Sequence, residues 1–182
     1  MDEIVKAALK KWPTVPHCHG WLALDARGDW YMRDDRTQAA GPFPQVKGSR
    51  ILHDKLREFI QRNYEHDEQG CWYFQNGPQR VYVELEAAPW VWRLQADADA
   101  DADVLAPPRI HSHTGLAAAF QRATVDEQGR LFLATDLGLG LVHTLDMECA
   151  ADAITQGTWP LEQAAHAALL ARHRVVLRPA AK

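Results

Sequence analysis

Residues 67–74 read Asp67-Glu68-Gln69-Gly70-Cys71-Trp72-Tyr73-Phe74, and residues 126–133 read Asp126-Glu127-Gln128-Gly129-Arg130-Leu131-Phe132-Leu133. The same four residues precede a run of large apolar side chains at two places 59 residues apart. Turns of this kind need a residue that tolerates positive φ, which Gly supplies, so each copy reads as the bend of a β-hairpin. A looser third copy, Asp25-Ala26-Arg27-Gly28, stands between Trp21-Leu22-Ala23-Leu24 and Asp29-Trp30-Tyr31-Met32. After the bends at Asp67 and Asp126, Asn76-Gly77-Pro78 and Asp136 to Gly138 turn the chain again, giving units of strand, turn, strand, turn, strand. Val81-Tyr82-Val83-Glu84-Leu85-Glu86 alternates apolar and charged residues as a half-solvated strand does. The recurrence predicts internal structural repetition.

Between these strands the apolar period lengthens. Asp2 is positioned to cap a short helix over Glu3 to Lys11, stopped by Pro13. Leu52, Leu56, Phe59, Ile60 and Tyr64 recur on one stripe and predict a helix over Ser49 to Tyr64 with Ser49 as its cap. Another helix is expected from Pro160 toward Arg172, and one over Asp146 to Thr155. These elements predict an α+β fold: antiparallel sheets built from repeated hairpin units, with segregated helices. The tract Ala96-Asp97-Ala98-Asp99-Ala100-Asp101-Ala102-Asp103 has no large apolar side chain to bury and reads as a solvated loop or linker. It divides the chain into an N-terminal hairpin-helix-sheet unit at 1–95, a linker at 96–106 and a C-terminal sheet-helix unit at 107–182.

Asp25 to Trp30, the amphipathic helix, Asp67 to Phe74, and Val81 to Glu86 leading into Ala88-Pro89-Trp90-Val91 together resemble bacterial families described only as domains of unknown function. The likeness is best over Gly20 to Leu94. It implies an α+β fold of repeated sheet-and-helix units and a binding or regulatory role, signalling among them, and it carries no catalytic residue over to this chain.

With 182 residues the chain is long enough to bury roughly 70% of its extended surface and to fold without crosslinks. Its 20 Lys and Arg against 24 Asp and Glu leave a formal charge of −4, which argues against a nucleic-acid partner. Three widely spaced cysteines, Cys18, Cys71 and Cys149, form no paired framework and point to a reducing cytoplasm. No export signal and no apolar run long enough for a membrane span is expected.

Four constellations bear on chemistry. His17-Cys18-His19 and His111-Ser112-His113 place two imidazoles two residues apart, a spacing that puts both on one side of a strand and suits Zn²⁺. In that reading His111 and His113 lead, His17 or His19 completes the set, and Asp126 or Glu127 supports it; surface or structural histidines are the plainer account. Cys18 between two histidines is a candidate thiolate, but neighbours on a strand face opposite ways. Ser112 lacks a nucleophile elbow, and Gly138-Leu139-Gly140 lacks the third glycine of a dinucleotide loop. Trp90 and Trp92 share one strand face, and Trp30 and Trp72 follow their turn glycines closely, so the four read either as an aromatic core or as a groove for a ligand.

The resulting expectation is a cytoplasmic, non-catalytic module without cofactor that binds a protein or a small molecule through its sheets. The alternative is a metal-dependent enzyme, a hydrolase using zinc at the His-rich segments. A third class, a self-associating component, follows if the sheet edges pair between copies.

Overall fold

A nine-residue helix, α1 (Glu3–Lys11), opens the chain over the residues predicted for it, in a computed structural model that describes residues 1–96 and 106–180. The apolar face expected at Ile4, Ala7 and Ala8 is not the one that packs, since Ile4 is exposed and Val5 is buried. The Asp2 carboxylate makes no cap bond; it faces Arg62 at 3.3 Å, while the Asp2 amide donates to Asn63 Oδ1 at 2.7 Å. Six strands follow: β1 (Cys18–Leu24), β2 (Trp30–Met32), β3 (Ser49–Arg50), β4 (Tyr64–His66), β5 (Trp72–Asn76) and β6 (Gln79–Leu85). Helices α2 (Asp35–Ala40) and α3 (Asp54–Arg62) lie between them in sequence, and the strands form one sheet in the order β3-β2-β1-β6-β5-β4.

The second sheet contains β7 (Trp90–Gln95), β8 (Arg109–Ser112), β9 (Ala117–Ala118), β10 (Phe120–Val125), β11 (Leu131–Thr135), β12 (Gly138–Val142) and β13 (Leu161–Gln163), with α4 (Met147–Thr155) before and α5 (His166–Arg172) after the last strand. Its order is β13-β10-β11-β12-β7-β8-β9. Without β13, this is strand for strand the order of the first sheet. The senses agree as well: β1 runs parallel to β6 and β7 parallel to β12, while β5–β6 and β11–β12 are antiparallel.

The fold is α+β, but its sheets are mixed, which corrects the antiparallel expectation. Hairpins fix only neighbouring strands. β1 and β6 are separated by α2 and α3, and so long a connection permits a parallel pair that no turn motif announces.

The bends that defined the sequence reading share one geometry. Asp25 Oδ1 accepts from the amides of Arg27 and Asp29, Asp67 Oδ1 from those of Gln69 and Cys71, and Asp126 Oδ1 from those of Gln128 and Arg130, all at 2.8–3.0 Å. Gly28, Gly70 and Gly129 take φ of 83°, 82° and 75°, where a side chain would be strained. Ser112 builds the same bend with a hydroxyl, its Oγ accepting from Thr114 and Leu116 amides ahead of Gly115 at φ 86°.

Two predicted helices are shorter than their apolar stripes. Ser49 and Arg50 pair with β2, so α3 starts after His53, whose Nδ1 accepts from the Leu56 amide at 3.3 Å. Leu52 is exposed, and Tyr64 belongs to β4, wedged between Trp30 and Trp72. The helix still delivers its core face, with Ile60 buried and Phe59 edge-on to Phe74 at 5.4 Å. Burial of one such side chain contributes about 1.5–3 kcal/mol. Beyond Pro160 the chain first adds β13 beside β10; α5 begins only at His166, whose amide donates to Glu127 Oε2 at 2.8 Å. The helix expected at Asp146 is α4, tied to β7 by Asp146, which accepts from Arg93 Nε at 2.6 Å and from the Leu94 amide at 3.1 Å.

The chain forms two compact units, Met1–Ala87 with the tail from Arg174, and Ala88–His173. The division thus falls at Ala87, ahead of β7, rather than in the 96–106 segment, and the C-terminal tail rejoins the first unit. That tail is pinned by Val176 N to Gly70 O, Leu85 N to Leu177 O and Arg178 Nη2 to Phe43 O, at 2.8–3.0 Å. Residues 97–105, most of the Ala-Asp tract, lie outside the described residues. Among the described residues no helix is long and apolar enough to cross a membrane.

Candidate functional site

Within the first unit, one face of the sheet borders a cleft of about 570 Å³, within the roughly 300–1,000 Å³ range of small-molecule sites. His17 and His19 reach it from either side of the first residue of β1, Cys71 from just before β5 and Tyr73 from within it, Arg80 and Tyr82 from β6. The two-residue spacing of each pair is what brings both members to one face. The Asp67–Gln69 bend, with His66, forms one side, and Pro179 and Ala180 of the tail form another.

The side chains interlock. His19 stacks on Tyr82 with ring centroids 4.6 Å apart, and His17 meets the same ring edge-on at 5.9 Å. Tyr73 lies edge-on to Tyr82, also at 5.9 Å, and the Arg80 guanidinium sits 4.5 Å from the Tyr73 ring centre. The Tyr82 hydroxyl donates to Asp67 Oδ2 at 3.1 Å, while Asp67 Oδ1 serves the bend. Burial raises the Tyr82 phenol, and its bond to Asp67 adds to the rise; burial likewise raises Tyr73. Both phenols therefore stay protonated near neutral pH. Burial lowers His19, and the His17 imidazole beside it lowers it further, so its ring is neutral at pH 7 and gains charge only on acidification.

The second sheet provides an internal comparison. Tyr73 pairs with Tyr82 and Gln75 with Arg80 across β5–β6; 59 residues on, Phe132 pairs with Leu141 and Ala134 with Leu139 across β11–β12. Where the first sheet has Tyr73, Arg80 and Tyr82, the second has Phe132, Leu139 and Leu141, all buried, with His166 stacked on Phe132 at 5.1 Å. The strands themselves need no phenol or guanidinium at these positions. The polar set belongs to the cleft.

A family profile described as "Protein of unknown function (DUF2946)" matches residues 1–180. The chain belongs to that family. Among solved structures it is similar to a DUF1285 family protein from Silicibacter pomeroyi DSS-3, at 12% identity and a TM-score of 0.50, covering 84% of each chain. It is also similar to a DUF1285 family protein from Shewanella baltica OS155, at 12% identity and a TM-score of 0.46, covering 72% of this chain and 91% of the other. The first likeness shows the shared α+β fold. No curated protein matches the chain.

Of the metal-ligand and aromatic-groove candidates in this family member's sequence, only His17 and His19 line the cleft. Trp30, Trp72, Trp90 and Trp92 are buried in the cores of the two units. Trp90 and Trp92 stack at 6.0 Å and donate their indole N–H groups to Leu137 O and Leu133 O, so their faces and polar edges are committed to the fold rather than to a groove. His113 lies past the end of β8, its Nδ1 accepting from the Val91 amide at 3.3 Å and its ring 5.8 Å from Trp90. His111 faces Arg93 in the β7–β8 register. His17 and His19 belong to the first unit and His111 and His113 to the second. Among the described residues no three His, Cys, Asp or Glu side chains gather as a metal-ligand set, and Asp126 is occupied by its own bend and by Arg130 at 2.7 Å. Cys18, Cys71 and Cys149 are thiols; burial raises Cys149. Tyr73, Arg80 and Tyr82 were missed because each reads as an ordinary strand residue. Aligning the two Asp-Glu-Gln-Gly copies and asking which later positions change from apolar to polar would have found them.

Proposed function

We propose that this protein is a non-catalytic binding module whose first unit takes a small molecule in the cleft between His17, His19, Arg80 and Tyr82. The observation that carries this reading is the contrast between the two sheets: one scaffold order, with three buried apolar residues at positions where the cleft has Tyr73, Arg80 and Tyr82. The two units are read as copies of one strand design, one of which keeps a ligand face. Three cysteines outside disulfides support placement in a reducing compartment, the bacterial cytoplasm. A binding module in which a tail segment walls the cleft also suits a regulatory role, because occupancy bears on how firmly Pro179 and Ala180 are held.

The test is a small-molecule screen read by side-chain NMR of the intact protein. Hits are expected to shift Tyr73, Tyr82 and His19 together, and Tyr82→Leu, which copies Leu141, should fold and lose them. Hits that leave these three resonances unmoved and bind the Tyr82→Leu variant equally would refute the assignment.

A further inference from the structure

Resting on that reading of the cleft, we propose that its ligand carries an oxyanion, a carboxylate or a phosphate, and that Arg80 is the group that binds it. Arg33, Arg93, Arg122 and Arg130 each hold a carboxylate of their own unit. Arg80 differs: among the described residues it makes no ion pair with a carboxylate; it meets the phenols of Tyr73 and Tyr82, is hydrogen-bonded to the Tyr82 side chain, and feels the Asp67 charge through space. Arg80 is half-buried, its guanidinium 4.5 Å from the Tyr73 ring centre, and a planar guanidinium carries five N–H donors in a fork that matches two oxygens of a carboxylate or phosphate.

Asp67, a carboxylate of the cleft lining, acts on Arg80 without forming an ion pair with it. Both oxygens of Asp67 are held, one by the Gln69 and Cys71 amides and the other by the Tyr82 hydroxyl. His17 and His19, packed on the Tyr82 ring in the same lining, are further donors. In the second unit the position equivalent to Arg80 is Leu139, buried and apolar, so this strand pairing does not of itself require a guanidinium.

The experiment titrates the full chain at millimolar concentration with inorganic phosphate, benzoate, phenyl phosphate and uncharged benzyl alcohol, following the Arg80 side-chain N–H and the Tyr73, Tyr82 and His19 resonances. At least one of the acids is expected to bind tenfold or more tighter than benzyl alcohol; benzoate against phenyl phosphate tells carboxylate from phosphate. Arg80→Gln should cost the acid at least tenfold and leave benzyl alcohol unchanged. Arg80→Leu, which copies the second sheet, guards against a folding defect and should behave alike, with an unchanged thermal midpoint. Acids and benzyl alcohol binding equally, with no effect of either variant, would overturn the charge assignment and leave the cleft standing. Binding that shifts none of the cleft resonances, or no binding of any probe, would overturn both.

Discussion

Gly70 and Gly129 occupy the same position of the same Asp-Glu-Gln-Gly bend, at φ 82° and 75°, yet their surroundings differ. A Cβ on Gly129 meets nothing within 4 Å, whereas on Gly70 it would be built into the backbone carbonyl of Arg174. Gly129→Ala therefore carries only the left-handed backbone strain, about 1–2 kcal/mol. Gly70→Ala carries that strain and must also lift the C-terminal tail, which three hydrogen bonds hold: Val176 N–H to Gly70 O, Leu85 N–H to Leu177 O and the Arg178 guanidinium to Phe43 O. At roughly 1 kcal/mol net for each bond, the second variant should lose about 3 kcal/mol more than the first. A chain of this length loses about 2–4 °C of thermal midpoint per kcal/mol, so Gly70→Ala should melt about 6–12 °C below Gly129→Ala, with urea unfolding giving the same order. In a chain ending before Arg174 the two glycines should become equivalent, since the obstructing carbonyl is gone; this closes a double-mutant cycle. Equal destabilisation in the full chain, or a Gly70→Ala penalty that survives truncation, would refute the docking of the tail on Gly70.

Burial lowers both His19 and His173, so folding favours their neutral forms; the stability this supplies is present above about pH 6.5 and is lost as pH falls below it, which a series of thermal melts from pH 7.5 to 5 should record. Asp25, Asp126 and Asp146 are lowered despite burial, through their bonds to Lys47, Arg130 and Arg93 and to backbone amides, and add a second loss below about pH 4. Gly140→Ala should cost several kcal/mol and redshift tryptophan emission, because its Cβ would stand 2.7 Å from Trp90 Cβ and crowd the Trp92 indole; an unchanged spectrum and midpoint would contradict the stacked pair. Protein purified without chelator is expected to hold only substoichiometric zinc by elemental analysis. One equivalent lost on replacing His17 and His19, or His111 and His113, by Ala would revive the hydrolase alternative.

The sequence by itself determined the local bends. Asp25, Asp67 and Asp126 each stand three residues before a glycine, and that pairing encodes a turn through contacts spanning four residues. It likewise determined the extent of α1, the core face of α3 and the α+β class, because helix boundaries and the longer apolar stripes are written residue by residue. The tertiary structure decided what depends on distant partners: that β1 lies parallel to β6, that Ser49 pairs with Met32 instead of capping a helix, and that Pro160 leads into an edge strand. It also decided the site. His17 and His19 were visible as a spaced pair, but nothing local marks Arg80 as set among phenols or Trp92 as wholly buried. Charge pairing and burial are properties of the neighbours that folding supplies, and those neighbours, Tyr73 for one and Leu133 for the other, come from other strands.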